Sequence, residues 1–309
     1  MVIDLTDTTS AKINNALLEG RKRAGSSAVG MVLNLVLVTD EEGHYDAMRA
    51  AGETAREHPS RVISVIRRRG REPRLDAEIR VGGEAGPGET IALRLYGPLG
   101  LHAESVVLPL LLPDTPVVTW WPGQAPEAPG EDLLGALSQR RVTDTSESDT
   151  PLVELGKRAR AYQPGDTDLA WTRITPWRSL LAAALDVPHA RVTGAVVEAE
   201  PDNPSAELMA LWLSVRLGVR CERVHSSGPG ITAVRLATGQ DGLEEIAVTR
   251  PDGRIAQLSM VGQPDRPVAL KRRSLAELIA EELRRLDPDD VYQQVLEHLE
   301  NPYQEASQR

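Results

Sequence analysis

Along this chain the spacing of hydrophobic positions changes repeatedly, and each change marks an element. From Val29 to Thr39 the residues VGMVLNLVLVT are nearly all apolar, which predicts a strand buried on both faces, as in a parallel sheet. Gly43 to Glu57 predicts a helix ended by His58-Pro59, and Arg61 to Arg68, RVISVIRR, predicts a second apolar strand. Val29 to Arg68 then reads as one βαβ unit. Leu75 to Val81 and Ile91 to Tyr96 alternate and predict two antiparallel strands joined by the glycine-rich GGEAGPG. An amphipathic pattern from Ser10, the expected N-cap, to a basic end at Arg21, Lys22 and Arg23 predicts a helix before them.

The stretch Ala103 to Gly123, AESVVLPLLLPDTPVVTWWPG, carries an apolar helix-length run stopped at Pro113, then a β-branched and aromatic strand from Thr115 to Trp121. Trp120 and Trp121 are adjacent, so in a strand they point to opposite faces. A helix near Glu131 to Leu137, a strand at Arg141 to Ser146 and a helix at Pro151 to Ala161 follow. The polar, turn-rich QPGDTD at Gln163 to Asp168 places a domain boundary, giving domains 1–165 and 166–309. Beyond it, Thr175-Pro176 opens a helix through Leu185, with Thr175 as N-cap. Val192 to Glu198 predicts a strand, and Ser205 to Leu217 a helix stopped by Gly218, with Leu208, Leu211, Trp212 and Val215 apolar. Strands at Cys221–Ser226, Ile231–Thr238, Glu244–Thr249 and Arg254–Met260 come next, with SSGPG at Ser226 to Gly230 read as a hairpin loop. The last two strands are joined by the turn Pro251-Asp252-Gly253. Two helices close the chain, one capped by Ser274 and Glu277, the other opened by Asp287-Pro288. The expected fold class is α/β with mixed sheets: two domains of similar element order, each a sheet flanked by helices.

Composition narrows the function. A formal net charge of −10 over 309 residues argues against a nucleic-acid binder held by phosphate contacts. The longest apolar runs are too short to span a bilayer, and Met1 is followed by acidic residues instead of a basic leader; a cytoplasmic location is expected, with no membrane partner. A single cysteine, Cys221, excludes an intrachain disulfide. Arg220 and Arg223 beside it would favour the thiolate, whereas a buried thiol would be inert. The six histidines are scattered singly, no GxSxG elbow occurs, and neither glycine-rich loop stands between a strand and a helix N-terminus. No catalytic residue, metal ligand or cofactor is therefore expected.

Two basic sites remain. Arg67, Arg68 and Arg69, with Arg71 and Arg74, leave a strand end in an acidic protein; they read as a solvated loop or as a patch for an anionic ligand or acidic partner. At Asp168 to Arg178, DLAWTRITPWR, Arg178 falls in the first turn of the Thr175 helix, where the macrodipole disfavours a cation by ~0.3–1 kcal/mol. Arg173, Trp171 and Trp177 stand close by. Such a helix end could hold an anion, or the tryptophans are core and the arginines pair with acidic neighbours such as Asp168.

HPSRVISV at His58 to Val65, ESVVLPLLLPDTPVVTWWPG at Glu104 to Gly123 and DLAWTRITPWR resemble the glucose-6-phosphate dehydrogenase assembly protein family, OpcA. The resemblance spans both halves. It implies a non-catalytic protein that binds glucose-6-phosphate dehydrogenase and promotes its active oligomer, feeding NADPH production in the oxidative pentose phosphate pathway. Trp120, Trp121, Arg67–Arg69, Trp171, Arg173, Thr175, Trp177 and Arg178 are the expected partner- or anion-binding residues, inferred from their chemistry. The competing class is a sugar-phosphate- or nucleotide-binding protein, or an enzyme, using the arginines near Thr175.

Overall fold

The apolar runs of the first half become the middle of a sheet. In the computed structural model, which describes residues 1–25, 30–82, 88–239, 242 and 244–300, the chain is a mixed α/β protein with two sheets flanked by helices. It divides into two units. The first comprises Met1–Asp144, Ala161–Thr167 and Ser274–Pro288; the second comprises Thr145–Arg160, Asp168–Arg273 and the chain from Asp289 on.

The first unit runs β1 (Val2–Leu5), α1 (Ser10–Ala24), β2 (Leu33–Thr39), α2 (His44–Thr54), β3 (Ser60–Arg68), β4 (Arg74–Val81), β5 (Glu89–Tyr96), α3 (Ala103–Val107), β6 (Val117–Trp120), β7 (Arg140–Thr143) and β8 (Asp166–Asp168). Its sheet has the order β1-β4-β5-β3-β2-β6-β7-β8. Strands β5, β3, β2, β6 and β7 are parallel, and β4 is antiparallel to both β5 and β1. The βαβ unit β2-α2-β3 is as expected. The GGEAGPG loop joins the antiparallel β4 and β5, and its residues 83–87 lie outside the described ones, as does Val29.

Several boundaries differ from the sequence reading, each for a local reason. Thr9, not Ser10, caps α1 through Lys12 N, because the Ser10 hydroxyl donates to Val106 O at 3.0 Å. The apolar run of the VVLPLLLP stretch leaves the α-helix at Val107, before Pro113. Pro109 lacks an amide hydrogen, and Leu108–Leu110 tightens into a 3-10 turn. Between Glu131 and Leu137 only Gly135–Leu137 is helical, as a 3-10 turn; the Asp132 carboxylate takes the amides of Leu134 and Gly135 at 2.9 and 3.2 Å, competing with helix bonds. The polar QPGDTD contains the buried β8.

Polar side chains clamp the parallel strands. The Asn34 amide donates to Thr115 Oγ1 at 2.7 Å and accepts from Leu112 N at 2.8 Å, fixing the turn that feeds β6. Glu89, at the start of β5, is buried between Arg21 and Arg61, and Arg61 also donates to Leu110 O. Trp120 and Trp121 are both fully buried, Trp121 in the cluster formed with α1, α3 and the sheet. The helix Leu275–Arg284, with the expected Ser274/Glu277 capping box, belongs to this unit. It packs along α2, where Thr54 Oγ1 donates to Ala276 O at 3.1 Å, and its buried Glu282 pairs with buried Arg140.

His44 opens α2 and is 6% exposed, its Nδ1 2.9 Å from Ser64 Oγ. Burial first, then the nearby Arg94, hold its pKa below the usual histidine value. Protons therefore bind the unfolded chain more readily. Stability is expected to fall as the pH drops below about 6.5, the unfolded value, and the His44→Gln variant should show a flatter melting temperature between pH 7.5 and 5.5. An unchanged slope in that variant would assign the acid sensitivity elsewhere.

The second unit contains α4 (Pro151–Arg160), α5 (Leu169–Arg173), α6 (Thr175–Leu185), β9 (Val192–Ala199), α7 (Pro204–Leu217), β10 (Cys221–His225), β11 (Ile231–Thr238), β12 (Glu244–Thr249), β13 (Ile255–Ser259), β14 (Arg266–Ala269) and, after the returning helix α8 described above, α9 (Asp290–Glu300). The sheet order is β10-β9-β11-β12-β13-β14. β9-α7-β10 is a second parallel βαβ unit, and the remaining pairs are antiparallel. β10 and β11 flank β9 instead of pairing, so SSGPG is a crossing loop and not a hairpin. Asn203 caps α7 through Ala206 N, and Gly218 at φ 63° ends it in the left-handed region. The buried side of α7 is Ala206, Leu208, Met209, Ala210 and Leu213, whereas Leu211, Trp212 and Val215 are half-buried. A helix packed both by the sheet and by α4, α5 and α9 is apolar all round, so no single face stands out in its sequence.

Candidate functional site

The DLAWTRITPWR stretch folds as an elbow of two helices. Asp168 is fully buried and caps α5, accepting from Ala170 N at 2.9 Å and from Thr145 N and Oγ1, each at 3.0 Å. Ile174, at φ −91° and ψ −3°, ends α5 and occupies the cap position of α6 with no side-chain cap. Thr175 is thus the first helical residue of α6 and not its N-cap; α5 leads into α6 without the extended residue a side-chain cap needs.

Trp171 is the post of the elbow. Its ring is 1% exposed, its Nε1 donates to Asp289 Oδ2 at 2.8 Å, and Tyr292 packs 5.4 Å away. The Arg178 guanidinium lies 3.6 Å over the Trp171 ring, and its Nη2 donates to Thr175 Oγ1 at 3.1 Å. Stacking of a cation on tryptophan contributes about 0.5–2 kcal/mol, enough to offset the macrodipole penalty, so Arg178 has a reason within the fold that the sequence argument lacked. Arg173 Nη1 donates to Ser146 Oγ at 3.1 Å.

The elbow also gathers arginines that sequence reasoning missed. Arg273 donates to Thr172 O. Arg250, 5% exposed, lies 4.9 Å from the centre of the buried Trp177 ring and donates to Leu270 O at 2.7 Å and Ile231 O at 3.3 Å. Burial, then Arg272, hold its pKa below the usual arginine value. The run Lys271-Arg272-Arg273 was a visible signal; Arg250, Asp289 and Tyr292 had none, since chain folding alone brings them to the elbow.

The other predicted residues lie in the first unit. Arg67 and Arg68, at the end of β3, pair with Asp132 at 3.8 Å and Glu41 at 2.9 Å, and Arg69 is exposed. Arg74 stacks 4.1 Å from the Tyr96 ring and pairs with Asp76 at 3.0 Å. Trp120 and Trp121 are core side chains, as are Trp171 and Trp177. Cys221 differs from one sequence reading: burial first, then Glu207 and Glu222, push its thiol up to about 12, while Arg223 is engaged by Glu207 at 2.5 Å. Its alkylation by iodoacetamide at pH 8 is expected to run at least about a hundredfold slower than free cysteine. Labelling at the free-cysteine rate would mean a reactive thiol. No cluster of potential metal ligands occurs among the described residues, and no described helix is long and apolar enough to cross a membrane.

These residues stand in a mixed α/β scaffold of two units, each with its own sheet. Sequence comparison gives the family. Residues 51–160 match the model of the glucose-6-phosphate dehydrogenase subunit N-terminal domain and residues 164–296 that of its C-terminal domain; the chain belongs to the OpcA family. Curated relatives include putative OxPP cycle protein OpcA of Synechococcus elongatus, 29% identical over 192 residues, which cover 58% of this chain and 40% of the relative. The Synechocystis protein of the same description is 31% identical over 122 residues, covering 36% and 26%. The chain thus spans well under two thirds of these relatives. Among solved structures, a mutant of KijD10, a 3-ketoreductase from Actinomadura kijaniata, aligns at a TM-score of 0.46 with 7% identity over 87% of this chain and 96% of that one. That likeness bears on neither the fold assignment nor the chemistry.

Proposed function

We propose that this chain is a non-catalytic assembly factor that binds glucose-6-phosphate dehydrogenase and raises its activity by promoting the active oligomer, in the oxidative pentose phosphate pathway. The observation that carries the reading is the match of both halves to domains described as parts of a glucose-6-phosphate dehydrogenase subunit. Arg67, Arg68 and Arg69 in one unit and Arg173 and Arg178 in the other would supply charged contacts to an acidic partner surface. Trp120, Trp121, Trp171, Trp177 and Thr175 would hold the segments carrying them.

The test is reconstitution with the dehydrogenase of the same organism. Activity at fixed dehydrogenase concentration and the size of the complex should both rise on adding this chain, and the chain alone should not turn over glucose 6-phosphate with NADP. Turnover by the isolated chain, or no co-elution at micromolar concentrations of both proteins, would refute it.

A further inference from the structure

The crossover between the parallel strands β3 and β5 is made by a strand, β4, where a helix is usual. The face of the sheet beside α2 is consequently left as a groove of about 660 Å³ over β4 and β5, a size typical of small-molecule sites. One side of the groove is a stripe of α2 at helical spacing, Tyr45, Met48, Arg49 and Gly52, continued past the end of the helix by Arg56. Its floor is polar, with Glu78 and Arg80 of β4 and Thr90 of β5, which suits a small polar ligand better than the apolar face of a partner helix.

Three features of this groove face solvent or open space. Gly52 stands inside α2, where glycine is less favourable than alanine, yet nothing lies within 4 Å of the position a Cβ would take. Packing therefore does not require it, and open space adjoins the helix backbone. Tyr45 is 68% exposed, and its ring is set edge-on at 5.3 Å against buried His44, which is itself fixed by Ser64. Arg56 has no acidic partner among the described residues, while Arg49 holds only the exposed Asp46 at 2.9 Å and Arg80 is paired with Glu78 at 2.6 Å. In a chain of net charge −10, three arginines line this groove, and Arg56 is the one without a carboxylate partner among the described residues.

We propose that this groove binds a phosphorylated, ring-bearing metabolite of nucleotide size, its phosphates met by Arg56 with Arg49 and Arg80, its ring on Tyr45, and its body against α2 at Gly52. Arginine forks recognise phosphate oxygens in pairs, and a missing side chain lets a ligand approach the helix backbone. The proposal does not rest on the assembly role, because every residue it uses lies in the first unit and none is among the partner contacts named above.

The test is calorimetry on the full chain with ADP as probe and inorganic phosphate as a separate arm. ADP should bind saturably, and at least tenfold tighter than phosphate. Arg56→Ala should weaken ADP about tenfold without changing the melting temperature of the free chain. Gly52→Ala should raise that melting temperature through helix propensity, while Gly52→Leu should abolish ADP binding. Absence of saturable ADP binding would overturn the proposal. So would phosphate binding as tightly as ADP, or ADP binding that survives both Arg56→Ala and Gly52→Leu.

Discussion

Glu89→Ala is expected to destabilise the protein by about 3–5 kcal/mol, the scale of a buried ion pair broken on one side. Glu89 holds two cations at once, Arg21 and Arg61, and the side chains of Glu89 and Arg61 are only 4% and 5% exposed. Burial alone would raise the Glu89 pKa, but the bond from Arg21 and the charge of Arg61 outweigh it and the net shift is downward. Its contribution is therefore present above the unfolded carboxylate value, near pH 4.5, and is lost as the pH falls through the lower folded value. Removing the carboxylate leaves Arg61 inside the sheet with only Leu110 O and its neighbours to face. Removing both charges together, as Glu89→Leu with Arg61→Met, should cost less than Glu89→Ala alone, since the desolvation penalty goes with them. Urea unfolding of the two variants decides it; a loss under 1 kcal/mol for Glu89→Ala would show that the cluster is solvated and contributes little.

The Glu89 cluster also shows what sequence reading reaches and what it does not. The strands β2 and β3 were legible because a parallel core strand is apolar almost without interruption, and β4 and β5 because they alternate. The turn at Pro251-Asp252-Gly253, the Gly218 stop and the Ser274 capping box were legible because each is set by residues within four positions. β1, β8 and β14 were not: VIDL, DTD and RPVA are short edge or near-edge strands whose membership depends on hydrogen bonds to distant partners. Glu89 was invisible for the same reason. A carboxylate at a strand start reads as solvent-facing unless Arg21 and Arg61 are known to converge on it. At the elbow, the sequence placed the cap of α6 one residue too late, and the stack of Arg178 on Trp171, seven positions apart, required the bend at Ile174.

That stack sets the last expectation. Trp171→Ala should cost about 3–5 kcal/mol, as for other buried aromatics truncated to alanine, because it also removes the bond to Asp289 and the contact with Tyr292. Arg178→Ala should cost far less. It loses a cation–π contact of up to about 2 kcal/mol and regains ~0.3–1 kcal/mol by taking a cation away from a helix N-terminus, leaving a net destabilisation near 1 kcal/mol. Trp171 is thus the structural member of the pair and Arg178 the member that can be removed with the fold intact. The double variant should be less destabilised than the sum of the two, since Arg178 has no platform once the ring is gone. Chemical unfolding of the four proteins gives the coupling energy, and co-elution of the dehydrogenase with Arg178→Ala separates the roles. Weakened co-elution by a folded Arg178→Ala chain would place the arginine in the partner contact. Full co-elution with a coupling energy near 1–2 kcal/mol would make it a brace of the elbow, and additive stabilities would mean that the stack contributes nothing in solution.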